Sequence, residues 1–171
     1  MKVLLLAMIL SATTTGGSIY DFKVPGLTGE IDFSAYKGKK IMIINTASQC
    51  GNTPQYAGLE KLYQQYQDKL VIVGFPANNF GGQEPGSNSD IKEFCTKEYA
   101  VTFPMAEKIS VKGDDTAPIY KYLKAEAAKK GFTDPVTWNF GKFLLDEDGN
   151  LIATFSPKTQ PMSDEVLKWL N

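Results

Sequence analysis

Two short apolar runs separated by one amphipathic helical stretch constrain this chain more than any other feature. Ile41 to Asn45 and Leu70 to Phe75 are rich in β-branched residues, and each is short enough to read as a buried strand. Between them Leu59, Leu62, Tyr63 and Tyr66 recur at i, i+3, i+4 and i+7, the period of a helix with one buried face. Thr53 stands where it can cap that helix, and Pro54 fits its first position, where a missing N–H costs nothing. Strand, helix and strand in this order make a parallel pair joined by a crossover.

The flanking segments extend the pattern. Upstream, Pro25-Gly26, Thr28-Gly29 and Lys37-Gly38 punctuate short strand-like pieces between Val24 and Lys39. After the second strand, "PANNFGGQEPGSNSD" is too rich in Pro, Gly and Asn to be an element. Ser87 or Ser89 can then cap a helix whose stripe is Ile91, Phe94 and Cys95. Ala117 to Lys130 is a further helix, with Ile119, Tyr122 and Leu123 facing inward. Phe143 to Leu145 and Leu151 to Phe155 flank "DEDGN", whose Asp-Gly favours a β-hairpin. Ser163 is placed to cap a last helix carrying Val166, Leu167 and Leu170. The reading is one α/β domain of thioredoxin-like arrangement, a central mixed sheet flanked by helices. A length of 171 residues, 43% of them hydrophobic, suits one such core and leaves little room for a second.

Composition removes several classes of function. A net charge of −1 without a basic run offers no electrostatic footprint for nucleic acid. No stretch approaches the roughly 20 apolar residues that span a bilayer, so no stable membrane insertion is expected. All 18 basic residues are lysine, so the chain has neither histidine nor arginine. Its chemistry must therefore run without an imidazole base or a guanidinium fork. At the start, Lys2 precedes the apolar run Val3 to Leu10 and then "SATTTGGS". That is the layout of a secretory leader, so residues 1–17 are read as a signal peptide and 18–171 as the domain. Export to the periplasm or the extracellular space is expected.

Cys50 stands in "NTASQCGNTPQY", a polar turn after the first strand and ahead of the helix. On the residues alone it is a catalytic thiol, a disulfide anchor or an inert core cysteine. In open α/β sheets ligands gather beyond the carboxyl ends of parallel strands, where the Gln83 loop also lies. Trp138-Asn139 precedes the Phe143 strand; if that strand runs antiparallel, its start reaches the same edge. Three segments then converge. A helix start, two amides and an indole are donors that hold a sulfur anion without a base. A thiolate so held attacks a peroxide, expels water or an alcohol, and becomes a sulfenic acid.

The chain resembles the glutathione peroxidase family in its cysteine-containing, non-selenium form. The resemblance rests on "NTASQCGNTPQY", "GFPANNFGGQEPGSN", "VTFPMAEKISVKG" and "WNFGKFLLDEDGNLIATF", which span the chain from Ser18 in the family's order. It implies that Cys50 is the peroxidatic residue and that Gln83, Trp138 and Asn139 complete a catalytic tetrad. It implies hydroperoxide substrates and neither metal nor other cofactor. Ala77 and Asn79 depart from the Cys and Gln common in relatives, outside the tetrad.

Cys95 reads from its stripe as a buried core cysteine, and export also allows a structural disulfide. The resemblance adds a third role, since many non-selenium relatives resolve through a cysteine in this segment, at a slightly shifted position in plants. In that role a helical Cys95 must leave its stripe. Glutathione carries two carboxylates that arginine would suit; their lack tilts the expected reductant from glutathione toward a thioredoxin-like protein. The short segment from Leu123 to Trp138 resembles monomeric members with an open site. Two rivals remain: a non-catalytic binding domain stapled by Cys50–Cys95, and a thiol-disulfide oxidoreductase. The second lacks its C-x-x-C motif, because Cys50-Gly51-Asn52-Thr53 has no second cysteine.

Overall fold

After a short 3-10 turn over Ile19–Asp21, the described chain forms a two-stranded antiparallel hairpin, β1 (Lys23–Gly26) and β2 (Gly29–Asp32), before it reaches the apolar runs. The computed structural model describes residues 17–171; the leader read in residues 1–17 lies, but for its last residue, outside them. The two runs form β3 (Lys40–Thr46) and β4 (Leu70–Pro76), which pair in parallel across α1 (Gln55–Tyr66). Next come α2 (Asn88–Tyr99) and α3 (Pro118–Lys129). The hairpin β5 (Lys142–Leu145) and β6 (Leu151–Phe155) follows, and the last helix is the single turn α4 (Asp164–Leu167). The main sheet has the order β4-β3-β5-β6, with β5 antiparallel to β3. This is the thioredoxin-like arrangement, and it brings the start of β5 to the carboxyl end of β3.

Strand alternation sorts the core onto two faces. Ile41, Ile43, Val71, Val73, Phe75 and Phe143 pack toward Ile119, Tyr120 and Leu123 of α3. Met42, Ile44, Leu70, Ile72 and Leu144 pack toward Leu59 and Leu62 of α1, Ile91 and Cys95 of α2, and Val166 of α4. Because β3 and β4 are covered on both sides, they read as continuous apolar runs.

Local chemistry differs from the sequence expectations at three points and meets them at a fourth. Thr53 does not cap α1; its hydroxyl turns back to the chain before it, and Pro54 takes the N-cap position with no side-chain bond. Ser87 does cap α2, in a reciprocal capping box with Asp90. In α3 the fully buried tyrosine is Tyr120, edge-on to Phe75 and Phe143. Tyr122 is half-buried against Phe22 instead. Ser163 precedes α4, but its hydroxyl caps nothing; its carbonyl accepts from Val166 and Leu167 N–H.

Candidate active site

Cys50 sits in a tight turn between β3 and α1, and the Thr53 side chain closes that turn. Thr53 Oγ1 accepts from Cys50 N–H at 2.9 Å and donates to the Ala47 carbonyl at 2.8 Å. Thr53 N–H donates to the Cys50 carbonyl at 3.0 Å. The hydrogen bond that Cys50 Sγ accepts comes from Asn52 N–H at 3.3 Å. The sulfur is therefore served by its own turn, since α1 begins five residues later at Gln55. Cys50 is 9% exposed.

The second segment is tied to the first along the backbone. Gln49 N–H donates to the Gln83 carbonyl at 3.0 Å, and Ser48 Oγ donates to Glu84 Oε1 at 2.5 Å. Gly81 and Gly82 both have positive φ, 66° and 62°. Two successive left-handed residues turn the loop sharply at almost no cost only when both are glycine. Glu84 N–H is held by Asn78 Oδ1 at 2.9 Å. Glu84 is itself fully buried, which pushes its carboxyl above the usual range, partly opposed by the Ser48 bond.

The third segment closes the site. Asn139 Nδ2 donates to Gln83 Oε1 at 3.0 Å, and Asn52 Nδ2 donates to the Asn139 carbonyl at 3.4 Å. With Gln83 Oε1 engaged as an acceptor, its amide N–H groups are the donors left for a ligand. Asn139 is buried, and its Oδ1 has no partner. Trp138 lies against Phe80, with ring centroids 5.4 Å apart, and is 41% exposed, the one large apolar side chain so open among the described residues. The structure thus brings Cys50, Gln83, Trp138 and Asn139 to one sheet edge, through bonds between their segments.

Cys95 stands apart from that edge, one turn before the end of α2, buried and unpaired like Cys50. Burial pushes its thiol up to about 11, opposed by the Tyr56 hydroxyl beside it and reinforced by the Glu84 charge. In this state it is a poor nucleophile. Both cysteines belong to the same apolar cluster, on the α1 and α2 face of the sheet. Among the described residues no group of three or more Cys, Asp or Glu side chains is placed to hold a metal. No described helix is long and apolar enough to cross a membrane.

Several contributing residues were not apparent from sequence. Asn45, read as the end of a strand, clamps the third segment. Its Nδ2 donates to the Trp138 carbonyl at 3.0 Å, its carbonyl accepts from Phe140 N–H at 2.6 Å, and its N–H donates to the Gly141 carbonyl at 3.4 Å. Asn52 and Glu84 help hold the Cys50 turn and the Gln83 loop together, and Thr53 does so through bonds other than the helix cap expected of it. One signal was present: a buried-strand pattern that ends on Asn45-Thr46 places amide and hydroxyl groups at the functional edge.

The model of the glutathione peroxidase family matches residues 19–124. A glutathione peroxidase of Lactococcus lactis subsp. cremoris is 48% identical, over 90% of this chain and 99% of its own. A glutathione peroxidase-like peroxiredoxin of Chlamydomonas reinhardtii is 48% identical, over 95% and 94%. The crystal structure of the apo form of Trgpx is 41% identical, covers 90% of this chain and 95% of its own, and superposes with a TM-score of 0.68. Both the sequence match and the shared architecture run through the segments that carry Cys50 and Gln83, and the long alignments continue through Trp138 and Asn139. The chain belongs to the glutathione peroxidase family.

Proposed function

We propose that this thiol peroxidase works through Cys50, with Gln83, Trp138 and Asn139 as hydrogen-bonding partners and Cys95 as the resolving thiol. The observation that carries the reading is the Asn139-to-Gln83 hydrogen bond, together with the Gln49 and Asn52 ties that hold both residues beside the Cys50 turn. The Cys50 thiolate attacks one peroxide oxygen and the O–O bond breaks. The other oxygen leaves as water or an alcohol once it takes a proton, and Cys50 becomes a sulfenic acid. The Gln83 amide and the Trp138 indole are donors suited to the leaving oxygen's charge. Cys95 then attacks the Cys50 sulfur and expels hydroxide, which takes the Cys95 proton to form water and leaves a Cys50–Cys95 disulfide.

A thioredoxin-like protein suits that disulfide better than glutathione does, because the chain has no arginine to grip glutathione's carboxylates. Export follows as a proposal from the leader pattern alone, and it requires an exported reductant. The test is peroxide consumption by wild type, Cys50→Ser and Cys95→Ser with each reductant in turn. The proposal expects Cys50→Ser to be inactive with both, and Cys95→Ser to lose the thioredoxin-dependent turnover. Full thioredoxin-dependent turnover by Cys95→Ser removes the resolving role, and peroxide reduction by Cys50→Ser removes the nucleophile.

A further inference from the structure

Lys142 is the buried ionisable group that this chemistry leaves unused. It has no exposed surface, yet it belongs to none of the ion pairs among the described residues. Lysines are almost never fully buried without a partner, because desolvation of the ammonium is so unfavourable. Pairing within the sheet does not call for one: Ile44 and Phe155 flank it in register, and methionine would fill the same space. What its Nζ does is donate to the Phe140 carbonyl at 2.7 Å.

That carbonyl belongs to the turn that carries the third segment of the site. Phe140 has φ of 73°, a left-handed conformation in which a bulky residue is strained. Gly141, next in the chain, passes so close to the Pro135 carbonyl that a Cβ would lie 2.1 Å from its oxygen. The strain persists only because the turn is held from several sides. The carbonyls of Trp138, Asn139 and Phe140 each accept from a side chain: Asn45, Asn52 and Lys142 respectively. Phe140 N–H is held by the Asn45 carbonyl.

We propose that Lys142 is a positioning residue of the Cys50 site: by holding the Phe140 carbonyl it fixes the left-handed turn that presents Trp138 and Asn139 to Gln83. The arrangement has a pH dependence. Burial pushes the Lys142 amine down to about 7, opposed by Glu165 of α4, the charged group that acts on it among the described residues. The β3 and β6 neighbours, Ile44 and Phe155, carry no charge. An ammonium is a stronger donor than an amine, so the turn is held most firmly below neutrality and loosens as pH rises.

The test compares wild type, Lys142→Gln, which keeps a neutral donor, and Lys142→Met, which has none. Single-turnover oxidation of Cys50 by hydrogen peroxide is measured from about pH 5.5 to about 8.5 and scaled to the folded fraction. Lys142→Met lowers the rate about tenfold or more, as displaced catalytic groups do, and Lys142→Gln recovers part of it. In parallel, NMR follows the Trp138 indole N–H and the Asn139 side-chain amide in a Cys50→Ser background, where the site thiol cannot contribute. Both signals titrate with a midpoint near 7, together with Lys142 Nζ, and do so in neither Lys142 variant.

Wild-type rates in both variants overturn the proposal, as do Trp138 and Asn139 signals that stay still while Lys142 titrates. If the variants do not fold, the Cys50→Ser titration decides alone. The inference rests on Cys50 being the peroxide-reacting thiol, and the two fail differently. An inert Cys50 in wild type removes that reading, whereas a reactive wild type with unaffected variants removes only the role of Lys142.

Discussion

One hydroxyl holds the turn that carries Cys50. Thr53 Oγ1 bridges Cys50 N–H and the Ala47 carbonyl, so Thr53→Val, of nearly the same shape, leaves a buried donor and a buried acceptor unpaired. That costs about 1–3 kcal/mol for each group left unsatisfied. The denaturation midpoint should fall accordingly, and Thr53→Ser should restore most of it. The sequence did single out Thr53, but for the wrong bond: a threonine before a proline is a good cap only if the helix starts there, and α1 starts two residues later. That the segments of Cys50, Gln83, Trp138 and Asn139 meet at one edge was legible, from the strand order and the family motifs. Asn45, Glu84 and Lys142 were not, because their partners lie on other segments and no periodicity encodes a contact between loops.

At the level of elements, α2 is firmly started and weakly ended. Its N-terminus has the Ser87–Asp90 capping box, whereas its C-terminus closes on Ala100 in a left-handed conformation, φ 49°. For a non-glycine residue that conformation costs about 1–2 kcal/mol. Unwinding should therefore begin from the end nearer Cys95, whose carbonyl accepts from both Ala100 and Val101 N–H. Amide exchange should show the segment from Cys95 to Val101 protected in the reduced protein and exposed after oxidation. Ala100→Gly, which removes the strain, should stabilise the reduced form by about 1 kcal/mol and slow disulfide closure. Equal protection in both states would contradict the account of α2. A serine cap was readable from "SNSD", though not which serine or its Asp90 partner; the strained end was not, since alanine gives no sign that its backbone must turn left-handed.

Strand β5 makes a separate prediction, through pH. The folded-state pKa of Lys142 lies near 7 against an ordinary 10.5, so between those values the unfolded chain binds more protons and stability rises with pH. Below 7 the destabilisation is fully present, on the order of 4–5 kcal/mol. From pH 7 to about 8.5 the gain is about 2 kcal/mol, and Tm should rise by roughly 4–8 °C. Lys142→Met should flatten that slope. Above 9 the buried Cys95 thiol, raised to about 11, works in the opposite direction, which makes pH 7 to 8.5 the window to measure. The sequence reading began this strand at Phe143; a charged residue at a strand's start ordinarily marks its solvent end, and only the closeness of the Phe140 turn brings Lys142 inside.

For the whole molecule, the layering was the most legible part, because it depends on patterns that a single sequence displays. Two doubly covered strands, a crossover helix and a late hairpin leave few ways to build a sheet, and the observed order β4-β3-β5-β6 is one of them. The fold then delivers three loops to one edge, with Trp138 41% exposed beside Phe80. A site that open should turn over a bulky organic hydroperoxide and hydrogen peroxide at comparable rates; strong exclusion of the bulky substrate would show the site to be narrower than its static surface.

The most direct test of the central claim is non-reducing peptide mapping, with intact mass, of reduced protein from Ser18 onward after one equivalent of hydrogen peroxide. Rapid formation of a Cys50–Cys95 disulfide is predicted, replaced by Cys50 sulfenic acid in Cys95→Ser. Two thiols that both survive the peroxide unchanged would contradict the account.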